Sequence, residues 1–237
     1  MLASLPLPRL DVLRGGRALA ALLRDPDDLP QVFTLIDSMS GTAPARLVLG
    51  FRRSEDGRRL LRERPDIVSR LADREGLRAL PAGSLGREYL AFVESEGITP
   101  EGIRAASETE RSFSSPEVEY IRCRMRDTHD LWHAVAGYKG DVLGELALLA
   151  FLLGQHWNSA VAAIVVAALL KGFGRTDTRL VWEGYLRGRR AAWLPAQEWE
   201  RLLALPIDAV RARLEVGPPP EYAPLRTTEL RAAGMVG

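Results

Sequence analysis

The sequence predicts an all-α protein in which a single multi-helix domain, residues 1–237, is built around a central antiparallel helix hairpin. Apolar residues recur at the spacing of a helix face along most of the chain. Alternating runs of β-branched residues, which are typical of strands, are few. No internal repeat or linker divides the chain, and 46% apolar residues suffice for one large core.

Composition excludes several functional classes. The formal net charge of +1 gives no general attraction to nucleic acid, so we expect no nucleic-acid partner. The only cysteine, Cys123, excludes an internal disulfide and a cysteine-rich zinc module, and it fits a reducing compartment. We expect no secretory signal, because Pro6 and Pro8 interrupt the apolar start. The longest uninterrupted apolar run, residues 160–170, is shorter than the ~20 residues of a bilayer span.

In the first half of the chain, capping residues separate the apolar segments. Asp25-Pro26-Asp27-Asp28 is typical of a helix start. Arginines cluster between Arg52 and Arg64 with acidic residues among them, which favours a solvated face over contact with anionic lipid. Tyr89 and Phe92 are predicted on the buried face of their helix. The predicted helices span residues 10–24, 25–39, parts of 44–72, 85–94 and, at most briefly, 100–107.

Helix boundaries are clearer in the second half. Ser115, Pro116 and Glu117 supply a capping hydroxyl, a proline at the first helical position and an acidic first turn. Gly137-Tyr138-Lys139-Gly140 ends that helix, and Asp141 can cap the next one. The predicted helices span residues 116–136, 142–173 with a break within 154–159, 176–193, 195–205 and 206–214. Residues 1–30 are expected to be variable, and residues 218–237 to form an extended tail.

Residue types that bind metals lie on either side of the helix break at residues 137–140. The chain has 3 histidines, and two of them are His129 and His133, with Asp130 between them. At ~100° per residue, the two histidines lie about 40° apart around a helix axis, and Asp130 lies about 60° from His133. The three side chains are therefore predicted to share one helix face.

Glu145 is predicted to face the same group from the next helix. His133 precedes Gly137 by four residues, and Glu145 follows Asp141 by four. Each is therefore about 6 Å from its helix end at a rise of ~1.5 Å per residue. A short connection makes the two helices antiparallel neighbours, which brings Glu145 level with His133.

Two neutral imidazoles and two carboxylates balance the charge of a divalent cation. We therefore predict that His129, Asp130, His133 and Glu145 are metal ligands and are catalytic through the metal. The set suits Zn²⁺ first, with Mn²⁺ or Fe²⁺ open. A buried polar network without metal is the alternative, and it is less favourable because isolated buried charges are costly. His156 lies ~16 Å beyond Glu145 on a continuous helix, so we assign it to the core or to a pocket wall.

Three other metalloprotein families fit the motif poorly. Zincin peptidases carry a glutamate as general base where this chain has Asp130. Phosphohydrolases of the HD type need a histidine well upstream, and no histidine precedes His129. Di-iron bundle proteins use two Glu-x-x-His repeats, whereas only Asp130-x-x-His133 is of that kind here.

The motif His129-Asp130-x-x-His133, followed after eleven residues by Glu145, resembles the signature of the coenzyme Q biosynthesis protein 4 family. Flanking residues agree with this resemblance: Thr128, Gly137, Gly144 and Gln155. Later residues resemble the closing segment of the family: Pro195, Trp199, Glu200, Leu205, Pro206, Arg211, Leu214 and the proline-rich residues 218–222. The resemblance covers about residues 32–225.

The resemblance implies a protein of ubiquinone biosynthesis that acts on polyprenylated benzenoid precursors. It implies decarboxylation at C1 of the aromatic ring, coupled to hydroxylation there, and an assembly with other enzymes of the pathway. It also implies a cytoplasmic protein peripherally associated with the inner (cytoplasmic) membrane surface, with a homodimer left open. We expect the apolar helices of residues 146–170 to line a slot for the isoprenoid tail.

Two alternatives to this enzyme remain open. A non-catalytic scaffold that binds polyprenyl lipids would use the metal structurally, and four protein ligands favour such a closed site. An unrelated metal-dependent hydrolase would act on small soluble substrates regardless of tail length. The number of coordination positions left open by the protein separates the scaffold from the enzyme.

Overall fold

The computed structural model describes residues 10–107, 115–173 and 177–237, and these ranges contain helices and no β-strand. The all-α prediction is therefore confirmed. The helices of the first half are α1 Val12–Leu22, α2 Leu29–Met39, α3 Ala43–Arg53, α4 Glu55–Glu63, α5 Val68–Leu71, α6 Arg74–Ala79, α7 Leu85–Glu96 and α8 Pro100–Ala106. Those of the second half are α9 Pro116–Asp127, α10 His129–Ala136, α11 Val142–Gln155, α12 Ser159–Lys171, α13 Thr178–Arg190, α14 Trp199–Leu202, α15 Ile207–Arg213 and α16 Thr227–Ala232.

The helices group into two compact units, each assembled from separate stretches of the chain. The first unit takes the described residues within Pro44–Gly137 and Ala191–Pro219. The second unit takes those within Leu7–Ala43, Tyr138–Arg190 and Pro220–Gly237. The assignment of residues 1–237 to one domain stays a prediction.

In the first unit, α10 packs against α7 and α15. Seven of the eight residues of α10 are buried, and Trp132 is wholly inaccessible to solvent. Full burial of a large apolar side chain stabilises the fold by roughly 1.5–3 kcal/mol. A second part of this unit is a core of Leu47, Val48, Phe51, Leu60, Leu61, Ile121 and Ala196. The metal-motif helix is thus an internal element of its unit.

In the second unit, α11 and α13 pack with their backbones in close contact. A Cβ atom at Gly188 would lie 2.0 Å from the carbonyl oxygen of Phe151, and one at Gly154 would lie 2.5 Å from that of Tyr185. The Gln155 side chain joins the pair by donating to the Gly188 carbonyl at 2.6 Å. Most of α11 is buried, which accounts for its almost wholly apolar sequence.

The predicted helix over residues 116–136 is interrupted at Thr128. This residue has φ −98° and ψ −1°, and it ends α9 and begins α10. Its hydroxyl donates to the Arg124 carbonyl at 2.8 Å, a bond that competes with the regular helical pattern. The break predicted within residues 154–159 is confirmed, because His156 ends α11 and the Asn158 side chain caps α12.

Three further segments differ from the sequence-based expectation. The helix predicted over residues 195–205 is a 3₁₀ turn at Leu194–Ala196 followed by the short α14, because Gln197 and Glu198 leave the helical conformation with ψ 143° and 72°. The helix α6 was not predicted. The tail is extended only as far as Arg226, because α16 follows. The start predicted at residue 176 lies outside the described residues.

The arginine-rich stretch carries ion pairs to neighbouring acids. Arg52 contacts Glu117 at 2.5 Å, and Arg59 contacts both Asp56 and Glu198. These pairs agree with the predicted solvated face. Within the described ranges, no helix combines the length and the apolar character that crossing a bilayer requires.

We predict that Gly188→Ala lowers the free energy of unfolding by roughly 1–3 kcal/mol, because its methyl group would overlap the Phe151 backbone. Gly16→Ala is the matched control, since a Cβ atom there would meet nothing within 4 Å. Alanine loses less conformational entropy on folding than glycine, so Gly16→Ala should raise the free energy of unfolding by about 0.5–1 kcal/mol. Urea unfolding measures both changes, and equal behaviour of the two variants would contradict the close packing of α11 and α13.

Candidate metal centre

A buried arginine anchors the turn that leads into α10. Arg124 is 2% exposed, and its guanidinium donates to both carboxylate oxygens of Glu200, at 2.8 and 2.9 Å. It also donates to the Gln197 carbonyl at 2.9 Å. Burial alone would lower the pKa of Arg124, but the hydrogen bonds to Glu200 raise it above its ordinary value. Arg124 therefore stays charged and fixes the end of α9, from which the metal motif begins.

The two histidines of α10 face each other. Their ring centroids are 4.9 Å apart with an interplanar angle of 68°. His133 is 1% exposed, whereas the side chain of His129 keeps 30% of its surface accessible. The pair thus reaches from the interior of the unit towards solvent, as expected for residues one helical turn apart.

Phe92 of α7 packs on the outer imidazole face of His133. The ring centroids are 4.8 Å apart and the rings are nearly parallel, with an angle of 14°. Aromatic pairs of this kind contribute about 0.5–1.5 kcal/mol beyond simple burial. The stack restricts rotation of the His133 ring.

Glu145 sits in the first turn of α11, one turn after the cap. The Asp141 carboxylate accepts the backbone N–H groups of Leu143 and Gly144 at 3.1 and 3.3 Å. The N–H of Glu145 donates to the Asp141 carbonyl at 2.8 Å. Asp141 therefore acts as the predicted cap and sets where Glu145 enters the helix.

Three of the four predicted ligands come together. His129, His133 and Glu145 each offer one ligand atom, and these atoms all lie within 4.8 Å of one another. Tetrahedral ligands at ~2.1 Å from an ion lie about 3.4 Å apart, so the three atoms would draw closer together when they bind one ion. Two imidazoles and one carboxylate are a donor set of known catalytic zinc sites. These residues could bind a divalent metal ion.

Asp130 lies outside this three-residue group, contrary to the predicted four-residue cluster. Its Oδ1 atom lies 3.5 Å from Nδ1 of His129, and the residue is 7% exposed. Asp130 is ~100° from His129 around the helix axis, and its side chain is one bond shorter than that of glutamate. The structure thus places it beside a ligand, where a carboxylate orients an imidazole. Direct ligation by Asp130 stays a prediction.

Sequence reasoning did not find the partners that hold α10. Helical spacing placed Tyr89 and Phe92 on a buried face, but it carries no signal for the residues they contact. Burial, and then the Asp130 carboxylate, raise the pKa of Tyr89, so its phenol stays protonated beside the motif. The ion pair between Arg124 and Glu200 joins residues 76 positions apart, a separation that no local pattern encodes.

We predict that Phe92→Leu weakens the binding of a divalent ion roughly two- to tenfold, the equivalent of the aromatic stacking energy. The leucine keeps the apolar contact and frees the His133 ring to rotate. Phe92→Tyr retains the ring and should bind as the parent protein does. Calorimetric titration with Zn²⁺ measures the change, and an unaltered Kd in the leucine variant would exclude an ordering role for the stack.

Sequence comparison finds relatives along most of the chain. The family of the coenzyme Q (ubiquinone) biosynthesis protein Coq4 matches residues 9–220. The mitochondrial ubiquinone biosynthesis protein coq4 of Talaromyces stipitatus is 31% identical over 235 residues, which cover 93% of this chain and 77% of that protein. The mitochondrial COQ4 homolog of Aedes aegypti is 33% identical over 218 residues, which cover 86% and 74%.

Other matches are shorter or more distant. The coq4 protein of Aspergillus flavus is 31% identical over 176 residues, so the chain spans only 59% of that relative's length. A crystal structure of a Nostoc punctiforme protein has a TM-score of 0.64 and 22% identity, covering 88% of this chain and 100% of that one. This similarity supports the fold alone. From the family match and the identities above, the chain belongs to the Coq4 family of coenzyme Q (ubiquinone) biosynthesis proteins.

Proposed function

We propose that this chain catalyses metal-dependent decarboxylation at C1 of a polyprenylated benzenoid precursor of ubiquinone, coupled to hydroxylation at that carbon. The observation that carries the proposal is the donor group of His129, His133 and Glu145. Catalytic zinc sites use three protein ligands and keep a fourth position open, whereas structural sites close all four. Three converging donors therefore favour an enzyme over a purely structural site.

Each residue has a role that follows from its position. His133 and His129 supply neutral nitrogen donors, and Glu145 supplies the anionic one. Asp130 accepts the Nδ1 proton of His129, which fixes the tautomer and leaves Nε2 to bind. A divalent ion held by these residues would supply Lewis-acid stabilisation of charge on the substrate carboxylate or phenolate.

The electron balance of the proposed reaction limits which metal ion and which partner enzymes can support it. In simple decarboxylation the C1–carboxyl bond breaks, its electron pair stays on the ring, and a proton replaces CO₂. If water supplies a hydroxyl group at C1 instead, the net change also releases two electrons. Zn²⁺ cannot accept them, and Fe²⁺ or Mn²⁺ could only pass them on, so the coupled reaction requires an external oxidant or an electron-accepting partner enzyme of the pathway.

Exposed apolar side chains support a role at a membrane surface. Leu170 is 84% exposed and Val166 is 55% exposed, and they lie one turn apart on α12. Two tryptophans of the same unit, Trp157 and Trp182, are 58% and 60% exposed. Tryptophan is enriched at membrane interfaces. We propose peripheral association with the inner membrane of the cell, where the polyprenyl substrate resides.

The same surface favours a second candidate function. A non-catalytic scaffold could present polyprenyl intermediates to other enzymes of the pathway through these apolar side chains, with the ion serving only to hold the site together. The apolar slot for the tail and a homodimer stay predictions under either function. Metal-dependent turnover separates the two candidates.

We expect His129→Ala and Glu145→Ala to lose bound metal and activity together, because each removes one of three donors. Bound metal is measured by plasma mass spectrometry. Activity is measured as release of labelled CO₂ from a polyprenyl-hydroxybenzoate that carries ¹³C in its carboxyl group. His156→Ala is the matched control, since this remaining histidine ends α11 outside the donor group and its loss should spare metal content.

Two results would argue against this proposal. Full turnover by a variant without bound metal would exclude metal-dependent catalysis. Stoichiometric metal without CO₂ release, in the presence of an electron acceptor and the other enzymes of the pathway, would favour the scaffold.

A further inference from the structure

The turn between the two ligand helices is followed along its length by a later stretch of the chain, residues 211–226. This stretch, the C-terminal clamp, contacts the end of α10, then the turn, then the start of α11. Its contacts occur in three places, and the first and third involve backbone groups that a helix end leaves without intrahelical partners.

Arg211 of α15 caps the C-terminal end of α10. Its Nε donates to the Val135 carbonyl at 3.0 Å, and its Nη2 donates to the Ala134 carbonyl at 3.1 Å. Nη1 pairs with Asp208 at 3.1 Å, and the Arg211 side chain is 16% exposed. These carbonyls belong to the last turn of α10, where a cation is also favoured by the helix dipole. The capped turn begins at His133.

Pro219 contacts the residue that ends α10. Gly137 has φ 77°, which a residue with a side chain adopts only under strain. A Cβ atom there would also lie 2.5 Å from Cβ of Pro219. The turn can therefore bend only with glycine at this position, and the clamp packs directly against it.

Tyr222 holds the start of α11. Its hydroxyl accepts the Lys139 N–H at 2.8 Å and donates to Oδ2 of Asp141 at 2.8 Å. The other carboxylate oxygen of Asp141 accepts the Leu225 N–H at 2.8 Å while it caps α11. Asp141 is 2% exposed, so these bonds are shielded from water. Burial and the bond to Asp141 raise the pKa of Tyr222, so the phenol keeps donating.

One backbone and one side-chain contact complete the clamp. The Val142 N–H donates to the Leu225 carbonyl at 2.9 Å, and Arg226 donates to the Gly140 carbonyl at 3.2 Å. The cap that precedes Glu145 by one turn is thus held by side-chain and backbone groups of the same short segment.

We propose that Arg211 and Tyr222 are positioning residues for the metal centre, Arg211 for the turn that carries His133 and Tyr222 for the turn that carries Glu145. Neither residue belongs to the donor group. Each sets the backbone from which a donor projects. Groups bonded directly to a ligand typically change metal affinity 10- to 100-fold, and we expect the lower end of that range here because these two residues act through the backbone. The inference rests on the proposed metal site.

The test uses Co²⁺ as the probe, titrated into the full-length protein. Arg211→Met removes the N–H groups that donate to the Val135 and Ala134 carbonyls. Arg211→Lys keeps the positive charge but not the forked guanidinium, and Tyr222→Phe removes one hydroxyl. We expect the Kd for Co²⁺ to rise about tenfold in Arg211→Met and Tyr222→Phe, with partial recovery in Arg211→Lys. The visible absorption bands of bound Co²⁺ should also shift, because they report ligand geometry.

The controls separate positioning from general stability. Val210→Ala lowers stability at a wholly buried neighbour of Arg211 in α15, and Tyr185→Phe removes a hydroxyl from α13. If these controls change Kd and absorption as much as the clamp variants, the inference is wrong. Clamp variants that bind Co²⁺ with the Kd of the parent protein would also overturn the inference, but they would not contradict the proposed metal site. A parent protein that binds no Co²⁺ would overturn the proposed function and this inference together.

Discussion

The burial of His133 is the constraint on which the rest of the structure depends. An imidazole that is 1% exposed has exchanged water for protein contacts, and such an exchange is costly unless the ring is held and its nitrogens are used. The surroundings meet this requirement from several directions. Phe92 covers the ring face, Arg124 fixes the chain that leads into α10, and Arg211 caps the chain that leaves it. Long-range polar contacts therefore converge on an eight-residue helix.

The number of converging donors bears directly on function. Four protein ligands would have favoured a closed structural site, whereas the two histidines and Glu145 form a three-donor group. Asp130, the fourth predicted ligand, lies beside His129, where it can orient the imidazole, and its direct ligation stays a prediction. Three donors favour a site with one open position, which the proposed decarboxylase requires and a structural zinc site does not.

The helix caps hold the two ligand helices in position. The second helix of the hairpin is buried and apolar, and it packs on α13 through glycines. Glu145 enters this helix one turn after the cap Asp141, and Tyr222 and Leu225 hold Asp141 in turn. The helix caps are therefore part of the site, since α10 is too short to fix its own geometry.

The sequence by itself determined the all-α class, the caps at Ser115 and Asp141 and the break after Gln155, and it indicated the three residues of the candidate metal group. These features follow from local signals: helical spacing, capping chemistry and residue type. Only the tertiary structure decided that Thr128 interrupts the helix, that Asp130 stands beside the donor group, and that α16 follows the extended tail. It also decided which distant side chains hold the hairpin. Those contacts join residues some 76 to 84 positions apart, and their geometry depends on packing that no short stretch of sequence specifies.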